Sequence, residues 1–438
     1  MYKIKGKYSE ALLTLDCFEK ETMSQVFNIA NHPATIGKTI VMMPDSHAGQ
    51  GVPIGFTMKA GDKVVPNWVG VDIGCGMLSV GVNVRPWEDE LKKIDVLIRH
   101  HVPMGMTARS KESKGIKERL VDFLRKEAHK SSSSVIASFR SVSVSDIEDF
   151  VRSIGMDVSR FWISIGTLGG GNHFIEMGVD ENAYSWVTIH TGSRNFGKRV
   201  CEHFDGIAQA TVKEIPDLQE YTKKVRDMAG RGEIAKSDIS KLITKKQEDA
   251  KLDFDSKSSS FVSGSNMELY LKAMFLAQGY AAMNRMVIAE EVLSSIRSVV
   301  GDVTEYDRIE CVHNFISFED GIIRKGAIRS YVGERMIIPF NMRDGLLICD
   351  GKSNADWNFS APHGAGRVLS RSQAKASIDL VDYQKSMEGI FTTSVSKDTI
   401  DESPMAYKDA AMIEAAIAPT ATILFRVKPF YNVKAGGE

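Results

Sequence analysis

Between Lys38 and Val84 the glycines of the chain include positions 49, 51, 55, 61, 70, 74 and 76, between short apolar runs such as Ile40-Val41-Met42-Met43. Glycine at this density weakens a helix and opens backbone conformations and close approaches that a Cβ forbids. The stretch therefore predicts strands joined by tight turns. Two further segments have the same texture, Trp162 to Gly197 and Arg308 to Arg371. Helical patterns stand between them. Arg109 to Lys130, with eight Lys or Arg against four Asp or Glu, predicts the most basic helix. A polar helical stretch over approximately 207–255, broken at Met228-Ala229-Gly230-Arg231-Gly232, predicts a helical hairpin inserted into the β-rich core. Ser256 to Ser265 reads as a loop leading into a strong helix from Met267 to Arg297. Alternation in Thr422-Ile423-Leu424-Phe425-Arg426-Val427 marks a last strand ending in Val433-Lys434. The expected architecture is α+β, a single domain over residues 1–438 with a glycine-rich mixed β core and helical insertions.

Charge narrows the partners. The 438 residues carry 55 Lys and Arg against 56 Asp and Glu, so the chain as a whole exerts no pull on nucleic acid. Any RNA or DNA must meet a local basic patch. With 43% hydrophobic and 25% charged residues, the composition excludes a collagen or a disordered chain. No run approaches the roughly eighteen apolar residues of a membrane span, and Met1-Tyr2-Lys3-Ile4-Lys5-Gly6-Lys7 lacks an apolar signal core, so a cytoplasmic protein without membrane partners is expected. Five scattered cysteines, Cys17, Cys75, Cys201, Cys311 and Cys349, are odd in number and suggest no disulfide framework. Each is by default a small buried apolar side chain.

The chemistry-bearing residues lie on turns in the glycine-rich regions. Val71-Asp72-Ile73-Gly74-Cys75-Gly76 sets a carboxylate and a thiol three residues apart, able to converge on one point. Three glycines precede Asn172, His173 and Glu176 in Gly169-Gly170-Gly171-Asn172-His173-Phe174-Ile175-Glu176, where exposed N–H groups suit an anion. His190, in Thr188-Ile189-His190-Thr191-Gly192-Ser193-Arg194-Asn195, leaves an apolar strand for a polar turn, and Cys311-Val312-His313-Asn314 repeats the design. A single such His is more often structural. Three at equivalent places, with Asp72 and Cys75 unassigned, favour metal ligation. Asp, Cys and three His are too many for one tetrahedral structural zinc and about right for two ions sharing a ligand, a role a thiolate can fill. Mixed O, N and S donors admit Zn, Mn, Fe or Co. In Ser360-Ala361-Pro362-His363-Gly364-Ala365-Gly366-Arg367 a His sits among small residues beside a fixed cation, which suits a nucleophile that attacks a phosphate.

Together V-D-I-G-C-G, G-G-G-N-H-F-I-E, H-T-G-S-R-N-F-G, H-N, P-H-G-A-G-R and R-V-K-P-F-Y-N-V-K resemble the RtcB family of RNA-splicing ligases, in family order from Met43-Pro44-Asp45-Ser46-His47 to Lys434. The resemblance implies a ligase that joins RNA ending in a 2′,3′-cyclic phosphate or 3′-phosphate to RNA with a 5′-hydroxyl, using GTP and two Mn²⁺ ions, in RNA repair or tRNA splicing. It implies Asp72, Cys75 and His173 as ligands of one manganese and Cys75, His190 and His313 of the other, with Cys75 bridging. His363 is implied as the guanylylated nucleophile. Nucleotide contacts are implied at Asn172, His173, Glu176, His313, Asn314, Pro339, Asn341, Met342, His363, Gly364, Ala365, Gly366, Tyr407 and Lys434. Arg194, Arg367 and the basic Arg109-to-Lys130 helix are candidates for RNA phosphates, although for that helix a solvated face competes. A monomer is expected, and an archease-type activator is an open partner. The chain departs from the family after Ile337-Ile338-Pro339, where Phe340-Asn341-Met342-Arg343-Asp344-Gly345-Leu346 replaces the usual G-S-M-G-T-A-S, with Leu346 in place of a Ser expected near the nucleotide. Ala48 replaces a common aromatic, and Ala435 to Glu438 extend past the usual ending. Two other functions compete: a dinuclear metal phosphoesterase that opens RNA 3′ ends without sealing, and a non-catalytic RNA-end binding protein. The first needs neither His363, Glu176 nor Lys434, and the second would favour a missing ligand.

Overall fold

The computed structural model describes residues 2–15, 18–213, 218–253 and 260–436. Among these, two sheets carry the fold. The first runs in the order β1 (Tyr2–Lys5), β2 (Glu10–Leu13), β3 (Thr39–His47), β4 (Ile54–Lys59), β12 (Ile322–Lys325), β11 (Asn314–Ile316). The second runs β10 (Glu305–Val312), β6 (Gly76–Val82), β8 (Ser185–Thr191), β7 (Phe174–Val179), β17 (Ala421–Val433), β15 (Gly345–Gly351), β14 (Arg335–Asn341). Their neighbours pair antiparallel except β2 and β3. Two short pairs join β5 (Lys63–Val64) to β9 (Val262–Ser263) and β13 (Ala327–Arg329) to β16 (Ser360–Pro362).

Two-residue alternation decides what the second sheet offers. Leu78, Val80 and Val82 of β6, Ile175 and Met177 of β7, Val187 and Ile189 of β8, and Tyr431 and Val433 of β17 share one core with α2 (Glu88–His101) and α9 (Gly264–Val300). Phe174, Glu176, His190 and Asn432, at the alternate positions, therefore face the other way. The first sheet closes a second core with α1 (Lys20–Ala30), α3 (Ile116–Lys130), α4 (Val144–Ser153), α5 (Val158–Ile163), α6 (Arg194–Lys213) and α9. Both cores use α9, which explains why it is apolar on most sides: Met274 and Leu276 enter one, Ile288, Val292 and Ile296 the other.

The elements correct several expectations. The basic helix starts at Ile116, after Gly115 at φ 65°, and not at Arg109. Its cations meet carboxylates and carbonyls of the chain: Arg119 pairs with Glu290 of α9 at 2.6 Å, Lys117 with Glu148 of α4 at 3.3 Å, and Arg125 donates to the Val142 carbonyl at 2.9 Å. Arg109, just ahead of it, pairs with Glu291 at 2.8 Å. Trp162 lies in α5 and not in β-like text, because its buried ring packs edge-on against Phe161 in the helical core. The helix expected from Ile207 begins at Arg194. Beyond it, α7 (Leu218–Gly230) packs against α8 (Asp238–Asp253), with the turn at Arg231 and Gly232, φ 74°. Of the expected Ser256-to-Ser265 loop, 256–259 lie outside the described residues, Ser263 ends β9, and Gly264 opens α9. Cys17 and residues 437–438 also lie outside them. Among the described residues no helix is long and apolar enough to cross a membrane.

Candidate active site

Strand register assembles the first cluster. Gly76, the first residue of β6, pairs with Thr191 of β8 on one side and Val312 of β10 on the other. Cys75, His190 and His313 therefore meet at one end of three adjacent strands, and the His313 N–H donates to the Cys75 carbonyl at 2.9 Å. Asp72 arrives on the preceding turn, where Gly74 takes φ 76°. Its carboxylate fills the space that a Cβ at Gly192 would occupy, so that position needs glycine. The Ser193 N–H donates to its Oδ1 at 2.9 Å.

Cys75 Sγ lies 3.4 Å from His190 Nε2 and 3.6 Å from His173 Nε2. His190 Nε2 is 3.3 Å from His313 Nε2, and His173 Nε2 is 3.0 Å from Asp72 Oδ2. Two triads result, Cys75-His190-His313 and Asp72-Cys75-His173, each with ligand atoms within 4.8 Å of one another, and Cys75 belongs to both. The donor chemistry fits metal. The Nδ1–H groups of His190 and His173 donate to the Asn172 and Leu168 carbonyls at 3.1 and 3.0 Å, which fixes both tautomers and leaves each Nε2 with a lone pair. Burial pushes His190 and His313 well below the ordinary imidazole range, so both are neutral. Burial, with Asp72 adding to it, pushes the Cys75 thiol well up. Burial also opposes the charge on Asp72, but His173 and Arg194 hold its carboxyl below the usual range. Lone pairs and a carboxylate thus converge with too few protons to share, a donor set able to hold metal ions.

Behind the cluster, α9 carries two wholly buried polar residues. Asn284 Oδ1 accepts from the N–H groups of Gly166 and Thr167 at 2.7 and 3.1 Å, while its Nδ2 donates to the Thr167 and Gly192 carbonyls, both at 3.1 Å. The Arg285 guanidinium donates to the carbonyls of Gly74 and Thr191 at 2.8 and 3.0 Å. One helix therefore ties together the loops that carry Asp72, Cys75 and His190.

His363 follows β16, its ring centroid 4.8 Å from that of His313. Its Nδ1–H donates to Asp45 Oδ2 at 2.7 Å, and the same oxygen accepts its backbone N–H at 3.2 Å. Asp45 is wholly buried within β3 and holds the ring through Nδ1, leaving Nε2 clear of that bond. His363 lines a cavity of about 690 Å³ together with His190, Glu176, Asn432, Lys434 and Tyr407. At its edge the buried Glu402 accepts from Arg371 at 2.6 Å, Tyr407 at 2.7 Å and Lys434 at 3.0 Å. Burial opposes that charge, but Lys434, Arg371 and Arg367 hold the carboxyl far below its usual range.

Comparison with known proteins gives this arrangement a family. Residues 25–435 match the model of tRNA-splicing ligase RtcB. The chain belongs to the RtcB family. An RNA-splicing ligase RtcB of Escherichia coli K12 is 29% identical over 437 aligned residues, covering 95% of this chain and 94% of that protein. A tRNA-splicing ligase RtcB of Pyrobaculum aerophilum is 26% identical, covering 93% and 90%, and an RNA-splicing ligase RtcB of Mycobacterium tuberculosis is 27% identical, covering 90% and 95%.

Of the positions for which RtcB resemblance implies nucleotide contacts, Asn172, Glu176, Pro339, Asn341, Met342, His363 to Gly366, Tyr407 and Lys434 line the 690 Å³ cavity. His173 opens instead onto an adjoining groove of about 750 Å³ that Asp72 and Arg194 share, and Arg371 and Glu402 border both spaces. Asn314 is occupied elsewhere: its Nδ2 donates to the Asp72 carbonyl at 3.2 Å and its Oδ1 accepts from the Gly326 N–H at 2.9 Å. Arg367 stacks over Tyr407 and donates to the Asp401 carbonyl at 2.6 Å. Arg194 donates to Thr167 Oγ1 at 2.9 Å and the Gly105 carbonyl at 2.5 Å while bordering the groove. Leu346 is wholly buried in the sheet core, whereas Pro339 to Met342 with Gly345 form the cavity wall. Sequence reasoning gave no role to Asp45, Arg371, Glu402 or Asn432. A carboxylate inside the apolar run of β3 was the one available signal, for Asp45.

Proposed function

We propose that the protein is an RNA ligase that joins 2′,3′-cyclic phosphate or 3′-phosphate ends to 5′-hydroxyl ends, with GTP as co-substrate and Mn²⁺ as the metal. The observation that carries the reading is His363, oriented by buried Asp45 and set beside two ligand triads that share Cys75. Mn²⁺ held by Asp72, Cys75 and His173, and by Cys75, His190 and His313, would neutralise charge developing on phosphoryl oxygens. His363 Nε2 attacks the α-phosphorus of GTP, forming a P–N bond as pyrophosphate leaves. Asp45 stabilises the positive charge that the ring gains. The RNA 3′-phosphate then takes the GMP, breaking the P–N bond and returning His363 to its free state. Last, the 5′-hydroxyl attacks the activated 3′-phosphate and GMP leaves. A cyclic end is first opened to the 3′-phosphate by water.

The groove on the Asp72 side suits the RNA strand. Arg160, Arg194, Lys198, Arg199, Arg371 and Lys375 border it, against Asp398, Asp401 and Glu402 beyond the ligand Asp72. Such a local excess supplies the phosphate contacts that a net charge of -1 cannot.

Incubation with Mn²⁺ and GTP labelled at the α-phosphate tests the reading. An acid-labile protein-GMP adduct is expected in wild type and not in His363→Ala. A wild type that forms none overturns it.

A further inference from the structure

Strand β3 bulges where it passes His363. Met42 pairs with Phe56 of β4, but the next pair is His47 with Ile54, so Met43, Pro44, Asp45 and Ser46 together face Gly55. Pro44 has no N–H to give a ladder. Gly55, at φ 89°, makes the room, since a Cβ there would run into Ser46 Oγ. A bulge re-aims side chains. This one turns the wholly buried Asp45 toward His363, whose ring and backbone N–H groups both reach Asp45 Oδ2.

The bulge also takes the carbonyls of Met43 to Ser46 off the β4 ladder. Ser46 Oγ donates to the Met43 carbonyl at 2.6 Å, and His47 Nδ1 lies 3.0 Å from the Asp45 carbonyl. The other two carbonyls, Pro44 and Ser46 on either side of Asp45, accept from the Lys408 ammonium at 3.1 and 2.8 Å. Lys408 is 9% exposed, and a buried ammonium is tolerated only where its hydrogen bonds are made. Its backbone N–H donates to the Gly366 carbonyl at 3.0 Å, in the turn that carries His363, and the adjacent Tyr407 forms an antiparallel bridge with Arg367. Gly366, at φ 74°, lies so close to the Asp45 carbonyl that no Cβ fits. One residue thus joins both halves of the pair, by its main chain to the His363 turn and by its side chain to the peptide units around Asp45.

We propose that Lys408 is the positioning residue of the His363–Asp45 pair: it clamps the Asp45 bulge against the His363 turn and so holds the imidazole in one orientation. The inference rests on the ligase reading above. Lysine suits the task because one ammonium on a long unbranched stem offers three donors, enough for two carbonyls at once. Tyr407 lines the cavity, whereas the Lys408 side chain crosses to β3. Loss of the ammonium therefore disturbs the nucleophile and leaves the cavity wall in place. A displacement of about 1 Å at a reacting group can cost roughly a hundredfold in rate.

The rate of adduct formation on His363, followed with labelled GTP and Mn²⁺ over a range of GTP concentrations, tests this. Lys408→Met keeps the stem and removes the ammonium. It should lower the rate at saturating GTP roughly tenfold to a hundredfold and leave the half-saturating GTP within about twofold of wild type. Added to Asp45→Asn, which has already weakened what the clamp positions, the same change should cost less than about threefold more. Should the melting curve of Lys408→Met show that it does not fold, Lys408→Gln, which keeps a donor for one of the two carbonyls, carries the measurement. A folded variant with the wild-type rate overturns the role of Lys408, as does one whose half-saturating GTP rises in step with its loss of rate, or one that loses as much beside Asp45→Asn as alone. A wild type that forms no adduct overturns the ligase reading instead.

Discussion

Glu176 shows how a single residue can be read from its surroundings. Burial pushes its carboxyl up to about 8, and Asn432 and Lys434 offset only part of that. The ordinary value is 4.5, so between 4.5 and about 8 the folded protein holds a proton that the unfolded chain releases. Stability from this group is therefore complete below pH 4.5 and declines as pH rises through about 8. Urea unfolding of the metal-free protein should show wild type losing stability across that window relative to Glu176→Gln. Parallel pH profiles for the two would contradict it. Residues of this kind divide by what made them legible. Asp72, Cys75 and the three histidines carry ligand chemistry in their own side chains, and glycine-flanked turns marked their positions. The parts played by Asp45 and Asn432 depend on which buried group lies across from them, 318 residues away for Asp45 and 256 for Asn432, and no local pattern encodes that.

At the scale of elements, strands were more legible than the helices that hold them in place. Glycine density and short apolar runs located β3, β4 and β6, which are buried on both faces, and alternation located β17, which is partly exposed. The start of α6 was hidden because Arg194 adopts φ 58° and leads straight from the polar turn into the helix. Helix α9 was legible as a helix but not as the brace of the site, since Asn284 and Arg285 are two polar residues in a long apolar pattern. Removing the brace gives a prediction. Asn284→Leu leaves the Gly166 and Thr167 N–H groups and the Gly192 carbonyl buried without this partner, a loss of about 2–4 kcal/mol. Urea unfolding should show that drop, and metal retained per chain after dialysis should fall with it. A variant destabilised by less than about 1 kcal/mol with full metal content would show that the loops hold themselves.

For the whole molecule, the question is how a chain of net charge -1 binds a polyanion. Composition allowed only a local patch, and the sequence offered Arg194, Arg367 and the basic helix as candidates, with a solvated face competing for that helix. In the fold α3 directs Arg119 and Lys117 to carboxylates of α9 and α4, whereas Lys198 and Arg199 of α6 border the groove beside Asp72 that the proposed function gives to RNA. Both reach Glu202, at 3.8 and 3.7 Å, but these pairs are half exposed and cost little to exchange for phosphate. If each binds one phosphate of single-stranded RNA, its removal lowers the slope of log affinity against log salt by about 0.7. Lys198→Ala and Arg199→Ala should each show that loss in filter binding between roughly 50 and 200 mM salt, and about 1.4 together. Lys126→Ala, on the exposed side of α3, should leave the slope unchanged. The reverse pattern, a slope that falls with Lys126 and holds without Lys198 and Arg199, would put the RNA on the basic helix after all.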